Sequence, residues 1–164
     1  MGESLGSLDG STCDFGICAG FPDPVRAVPF IRLEKLRVSR DRITAHVRVF
    51  DGQITNPYMI SQALQFCPHL LDHACVNDEG ARFGAVADHT DIPHLLEHLV
   101  IELQAFQEKD LQRTFVGVTR WECREEGRAT VEVTYTDDLI ALGAFKEAVR
   151  LLNEAILPAW GMAE

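Results

Sequence analysis

The sequence predicts an α+β fold, a two-layer sandwich in which a mostly antiparallel sheet carries its helices on one face. Segments in which apolar and polar residues alternate come in pairs joined by short turns, as in antiparallel hairpins. Other segments place apolar residues at helical spacing and begin with a capping residue. The chain has 164 residues, of which 46% are apolar and 24% charged, so it is long enough to bury one core.

The first half of the chain is expected to form a hairpin, a helix and a third strand. Ile31–Val38 and Ile43–Val49 alternate on either side of a turn, so they predict an antiparallel pair with one wet face. Asn56 is a suitable helix cap and Pro57 fits the first turn of a helix that runs to about Phe66. The alternation of residues 69–76 predicts a third strand.

The second half is expected to form a helix, a hairpin and a last helix. Thr90 or Asp91 caps a helix that continues to about Gln107, with Pro93 tolerated in its first turn. Residues 115–123 and 128–136 alternate on either side of a turn at Glu126 and Gly127. Asp137 or Asp138 caps the last helix. Its apolar positions, at helical spacing, are Leu142, Phe145, Val149, Leu152 and Ile156. The predicted order is β-β-α-β-α-β-β-α.

Composition and charge also indicate the domain organisation of the chain, its compartment and the class of its partners. Residues 1–28 are rich in Gly, Ser, Asp and Pro and predict a flexible arm, in which Cys13 and Cys18 are interpreted as incidental thiols; residues 29–164 are expected to form a single domain. The odd number of cysteines, and the lack of a leader or a long apolar run, favour the cytoplasm. The formal charge of −10 argues against nucleic acid or an anionic membrane as the main partner. We expect a peptide-like or small-molecule substrate, and the negative charge of the chain is compatible with a cationic one. The sequence is also compatible with a homo-oligomer.

The most informative segment is His94-Leu95-Leu96-Glu97-His98. Two histidines four residues apart lie on one side of a helix and can share a metal ion. Glu97 lies beside them, and a carboxylate there can take a proton from water that Zn²⁺ has made acidic. His-x-x-Glu-His is the inverted zincin motif. The sequence therefore predicts a zinc site with Glu97 as general base.

A catalytic zinc needs a third protein ligand, and the sequence offers several. Cys75 is the first choice, because a thiolate is a soft donor and its strand precedes the metal helix; His73 is the second. Glu102 is the third and Cys123 the fourth. The alternative interpretations are that Cys75 is a small buried residue, and that Glu102 is a surface carboxylate or orients His98 by accepting its other ring N–H.

The helix should bury one side. Its predicted core side carries Leu95, Leu96, Leu99, Leu103 and Phe106. The opposite side carries the motif histidines and Glu97, together with Ile101 and Ala105. This second side is either a ligand face that looks into a cleft or a solvated face that happens to carry two histidines; the apolar Ile101 and Ala105 favour a covered face.

From Leu64 to Leu157 the chain resembles the N-terminal domain of cyanophycin synthetase. The resemblance rests on a Cys-Pro segment running into Asp72-His73-Ala74-Cys75, a loop with Phe83, and the block from His94 to Gln104. A strand containing Val116-Gly117-Val118 and Arg120, a hairpin and an amphipathic helix follow in the same order. More remotely, the motif resembles those of inverted-zincin peptidases and S-ribosylhomocysteine lyase.

The resemblance implies an α/β domain that handles an Asp-Arg polymer and, in some members, cuts it at a metal-dependent site. Carried over by position, His94, Glu97 and His98 would form that site, with His73, Cys75, Glu102 and Arg120 near it. The printed chain holds neither the ATP-grasp nor the Mur-ligase-like segment of the family, so we do not expect it to ligate amino acids. The family's Gly-Arg-Thr-Arg segment appears here as Val118-Thr119-Arg120-Trp121, which keeps one arginine.

Three functional hypotheses follow. The first is a zinc hydrolase of an amide bond, with Glu97 as general base and Arg120 steadying an anionic group of the substrate. The second is a binding or scaffolding module that keeps the fold without the chemistry. The third is a lyase of small metabolites that uses the same metal site.

Overall fold

The computed structural model describes residues 29–50, 53–108 and 114–156, and the predicted arm with Cys13 and Cys18 lies outside them. Four strands form one antiparallel sheet in the order β1-β2-β4-β3. The strands are β1 Ile31–Val38, β2 Arg42–Val49, β3 Gly117–Cys123 and β4 Arg128–Thr134. The helices are α1 Pro57–Ala63, α2 Ile92–Glu108 and α3 Asp138–Leu151, the last continued by a π-helical turn over Leu152–Ile156.

Helices α2 and α3 pack on one face of the sheet, which confirms the α+β sandwich. In β2 the residues Ile43, Ala45 and Val47 are buried against the helices. Arg42 on the other face is exposed, and Thr44, His46 and Arg48 on that face are half-buried. This alternation follows from the two-residue period of a strand. The sheet therefore has one face in the core and one face away from it.

Helix starts and turns follow the predicted chemistry. Oδ1 of Asn56 accepts the backbone N–H of Met59, with Pro57 at the first helical position. Asp137 caps α3 by accepting the N–H groups of Leu139 and Ile140. Gly127 turns the β3–β4 hairpin at φ 68°, and a Cβ there would overlap the carbonyl oxygen of Val49. Only glycine adopts this backbone conformation readily.

The predicted third strand is wrong. Residues 69–76 contain a short 3₁₀ turn over Leu70–Asp72 and a single bridge between Ala74 and Arg82. The backbone groups of this segment bond within their own loop: the N–H of Cys75 donates to Ala81, and His73 accepts from the N–H of Phe83. Because these groups are used locally, the segment does not join the sheet, but it still runs beside α2.

Helix α2 is buried on most of its circumference. Leu95, Leu96 and Leu99 are fully buried, as predicted, whereas Phe106 is 75% exposed and its place on the core side was wrong. Glu97 and His98 are only 6% and 2% exposed. The interpretation of their side as a solvated face is therefore excluded. None of the described helices is long and apolar enough to cross a membrane.

Candidate metal centre

Three donor atoms from the loop and from α2 converge on one point. Nε2 of His94 lies 3.2 Å from Nε2 of His98 and 3.4 Å from Sγ of Cys75. Among the described residues this is the one group of three His, Cys, Asp or Glu side chains whose donor atoms lie within 4.8 Å of one another. Cys75, the first choice for the third ligand, is thus brought to the two histidines.

The spacing of these atoms matches that of zinc ligands. Zinc bonds of about 2.0 Å to nitrogen and about 2.3 Å to sulfur, in a tetrahedron, place neighbouring donors about 3.3 to 3.6 Å apart. The observed 3.2 and 3.4 Å separations are close to these values. A set of one thiolate and two imidazoles suits zinc in its softness as well. The residues present therefore fit a zinc ion.

Each helix histidine is held by its second ring nitrogen. Nδ1 of His94 lies 2.8 Å from Oγ1 of Thr90, and an N–H at that position leaves a lone pair on Nε2. Nδ1 of His98 lies 3.3 Å from Nδ1 of His73. Phe83 stacks on the His98 ring with centroids 4.0 Å apart and meets His94 edge-on. Such outer contacts fix the tautomer and orientation of metal-binding imidazoles.

His73 and Glu102 lie behind His98 rather than at the converging point. Nε2 of His73 faces the buried Oε2 of Glu102 at 3.5 Å, and that oxygen has no hydrogen-bond partner among the described residues. Oε1 of Glu102 accepts the backbone N–H of His69. If His98 offers Nε2 to a metal, its Nδ1–H donates to His73, whose own N–H then points at Glu102. The structure therefore places both residues where they orient a ligand, and Glu102 reaches His73 instead of His98.

The histidines of this group are neutral at physiological pH. Burial lowers the pKa of His94 and of His73. The pKa of His98 falls to about 3, mainly through burial and further through its two histidine neighbours. When both rings carry their proton on Nδ1, the two Nε2 lone pairs face each other across 3.2 Å, an arrangement that a cation between them stabilises.

Glu97 is positioned from the neighbouring strand. Oγ1 of Thr119 donates to its Oε2 across 2.6 Å, and Gly117 lies against the carboxylate so closely that a Cβ there would overlap it. Burial raises the pKa of Glu97, and the Thr119 hydrogen bond opposes that rise. A raised pKa makes a carboxylate a better proton acceptor than one in open water.

A pocket of about 580 Å³ opens beside these groups. Cys75, His94, Glu97 and His98 contribute to its wall, and apolar side chains supply much of the rest: Val76, Ile101, Phe115, Val116 and Trp121. Among the described residues that line the pocket, Asp91 is a second carboxylate; it accepts from Nε1 of Trp121 and pairs with Arg124, each at 2.8 Å. The pocket is large enough for a small molecule or a short peptide segment.

Arg120 is not brought to this site. Its side chain is 63% exposed and lies 3.8 Å from Glu132, on the face of the sheet away from the helices. Its strand neighbours Thr119 and Trp121 face α2 instead, as the two-residue period requires. Cys123 is also remote, with its thiol beside Glu125.

Sequence reasoning missed Thr119 as the partner of Glu97 and the contact of Thr90 with His94. Thr90 was predicted only as a cap of α2, and Asp91, the other candidate cap, uses its side chain on β3 and its carbonyl on Leu95. The four-residue spacing from Thr90 to His94 could have indicated the contact. Nothing in the sequence shows which strand residue meets Glu97.

Comparison with known proteins decides the family. Residues 53–157 match the family described as the cyanophycin synthase-like N-terminal domain. The chain belongs to this family. The matched region contains the whole candidate centre, from Cys75 to Thr119. No curated protein and no solved structure matches the chain.

Proposed function

We propose that this member of the cyanophycin synthase-like family is a zinc-dependent hydrolase that cuts an amide bond. The observation that carries the proposal is the convergence of Cys75, His94 and His98 at zinc-ligand spacing beside an open pocket. Structural zinc sites are closed by four protein ligands, whereas catalytic sites keep three and leave a position for water or substrate. Three donors of the described residues converge here, which is the catalytic pattern.

The chain's own residues supply the rest of the chemistry. When bound, zinc makes a water molecule acidic enough to ionise near pH 7 and polarises a carbonyl oxygen. Glu97 accepts a proton from the attacking water and returns it to the leaving nitrogen, so that the amide C–N bond breaks while a new C–O bond forms. Thr119 holds one oxygen of Glu97 by its hydrogen bond, and the apolar pocket wall keeps bulk water away from the reacting groups.

The proposed substrate is a peptide-like chain, with the Asp-Arg polymer cyanophycin as the first to test. The family membership links the chain to cyanophycin metabolism, and the pocket has room for a short segment of a chain. We do not assign Arg120 a role in holding the substrate, because its side chain points away from the pocket.

The test combines metal analysis with a single substitution. We expect the full-length chain to hold one zinc ion per molecule and to release fragments of the polymer detectable by mass spectrometry. Glu97→Gln should keep the metal and lose the cleavage, since the amide cannot take up the proton. Absence of zinc together with undiminished cleavage by the variant would rule out this mechanism. Polymer binding without fragments would favour a binding module, and turnover of small molecules alone would favour a lyase.

A further inference from the structure

The face of the sheet away from the helices is basic, although the chain as a whole has a formal charge of −10. Strand registers place on this face seven of the 15 Lys and Arg residues of the sequence. They come from all four strands: Arg32, Lys35, Arg37, Arg42, Arg48, Arg120 and Arg128. No described helix packs on this side. The positive charge is therefore concentrated on one open surface.

Three of these arginines stand side by side. Arg32 is the register partner of Arg48, and Arg48 is the register partner of Arg128. Adjacent strands lie only about 4.8 Å apart, and like charges directly opposite each other destabilise a sheet. Arg32 and Arg48 both lie over the ring of Phe50, at 5.0 and 5.3 Å from its centroid, so two cations share one aromatic support.

The half of the face formed by β1 and β2 has few internal counter-charges. Arg32, Lys35, Arg37 and Arg48 make no ion pair with any residue that the structure describes. Glu34, exposed at the bulge of β1 beside Lys35, is a carboxylate of this half. Two further carboxylates on the face lie toward β3 and β4: Glu132 contacts Arg42 and Arg120, and Glu122 contacts His46. The strip along β1 and β2 thus carries four cations without an ion pair among the described residues and one carboxylate, and its net positive charge is left for an external anion.

We propose that this strip docks a short acidic segment of another polypeptide. Guanidinium groups pair with carboxylates through two parallel hydrogen bonds, and neighbouring arginines offer several such positions. The strip is about 17 Å long, because Arg32 and Arg37 at its two ends on β1 are five residues apart. A short segment stays within the strip. A nucleic acid would extend beyond the strip toward the acidic remainder of the chain, whose charges would repel its phosphates at distances below the screening length of about 10 Å. This surface is independent of the proposed zinc site.

The test measures binding of a fluorescein-labelled octa-aspartate peptide to the full-length chain by anisotropy. We expect binding that weakens as salt rises, because the contacts are between exposed charges. Arg32→Glu should weaken it about tenfold or more. Lys146→Glu makes the same change in net charge at an exposed position on α3, remote from the sheet face, and should leave binding nearly unchanged.

The outcomes separate the proposal from its rivals. Arg32→Gln, which removes the charge without reversing it, should give an intermediate loss and guards against a folding defect in Arg32→Glu. Equal loss in Arg32→Glu and Lys146→Glu would show that only net charge matters and would overturn the proposal. Absence of peptide binding would also overturn the proposal. An oligothymidylate of the same length that binds more tightly than the peptide, and that no longer binds to Arg32→Glu, would overturn it as well, because the face would then be a phosphate-binding surface.

Discussion

The backbone of Gly117 in β3 lies directly against the carboxylate of Glu97 in α2, and no side chain would fit between them. Two residues along the same strand, Thr119 donates a hydrogen bond to Glu97. Since β3 is paired to β4 through most of its length, the sheet fixes the position of the proposed proton acceptor. The strand therefore contributes to the centre as much as the loop that carries Cys75.

Gly117→Ala should displace Glu97 and reduce cleavage while leaving the metal in place. Misplacement of a reacting group by about 1 Å can cost about a hundredfold in rate, and we expect a loss of that order in kcat. Gly143→Ala is the matched control, because a Cβ there meets nothing within 4 Å. It lies inside α3 and should keep full activity while stabilising the helix by about 1 kcal/mol. Full activity of Gly117→Ala, measured beside its zinc content, would contradict the role given to Glu97.

Glu102→Gln should weaken zinc binding, because Glu102 holds His73 and His73 holds His98. Loss of an outer partner typically costs about 10- to 100-fold in metal affinity. Competition with a chelator at fixed pH measures this directly, without any substrate. Glu79→Gln removes an exposed carboxylate from a different histidine, His89, and should bind zinc like the unchanged chain.

A double-mutant cycle tests whether Glu102 acts through His73. His73→Ala should weaken zinc binding by itself, and adding Glu102→Gln to it should cause little further loss. Fully additive losses would show that Glu102 reaches the metal by another route. If the unchanged chain binds no zinc, that result contradicts the proposed zinc site itself and does not test the contacts from Glu102 through His73 to His98.

Leu99→Ala should destabilise the fold by about 2–5 kcal/mol, as large-to-small changes in a core usually do. Leu99 is fully buried in the core. Phe106→Ala removes a larger side chain from the same helix, but that side chain is 75% exposed, so its effect should stay within about 0.5 kcal/mol. Urea denaturation of both variants gives the two values. A similar loss in both would mean that the orientation of α2 is wrong.

The sequence was most informative where the spacing of apolar residues or a helix-capping residue indicates one type of element. The alternation of Ile43, Ala45, Val47 and Val49 gave the buried face of β2, and Asn56 and Asp137 gave two helix starts. The same reasoning failed for residues 69–76, where alternating side chains belong to a loop. A two-residue period does not say whether the backbone groups find partners in a sheet or within their own turn, so it could not exclude the loop.

The site was predictable along one helix but not across elements. The four-residue spacing of His94 and His98 fixes their common side, and the soft-donor argument singled out Cys75. His73 lies between His98 and Glu102. This arrangement depends on how the loop packs on α2, which the spacing of residues along the sequence does not indicate. For Arg120, the family resemblance gave a place near the site, whereas the strand period sends its side chain to the opposite face.

X-ray absorption at the zinc edge of the full-length chain loaded with one equivalent of zinc tests the central claim most directly. We predict one sulfur neighbour at about 2.3 Å and at least two nitrogen neighbours at about 2.0 Å, with the sulfur signal lost in Cys75→Ser. A zinc shell of nitrogen and oxygen alone in the unchanged chain would contradict it.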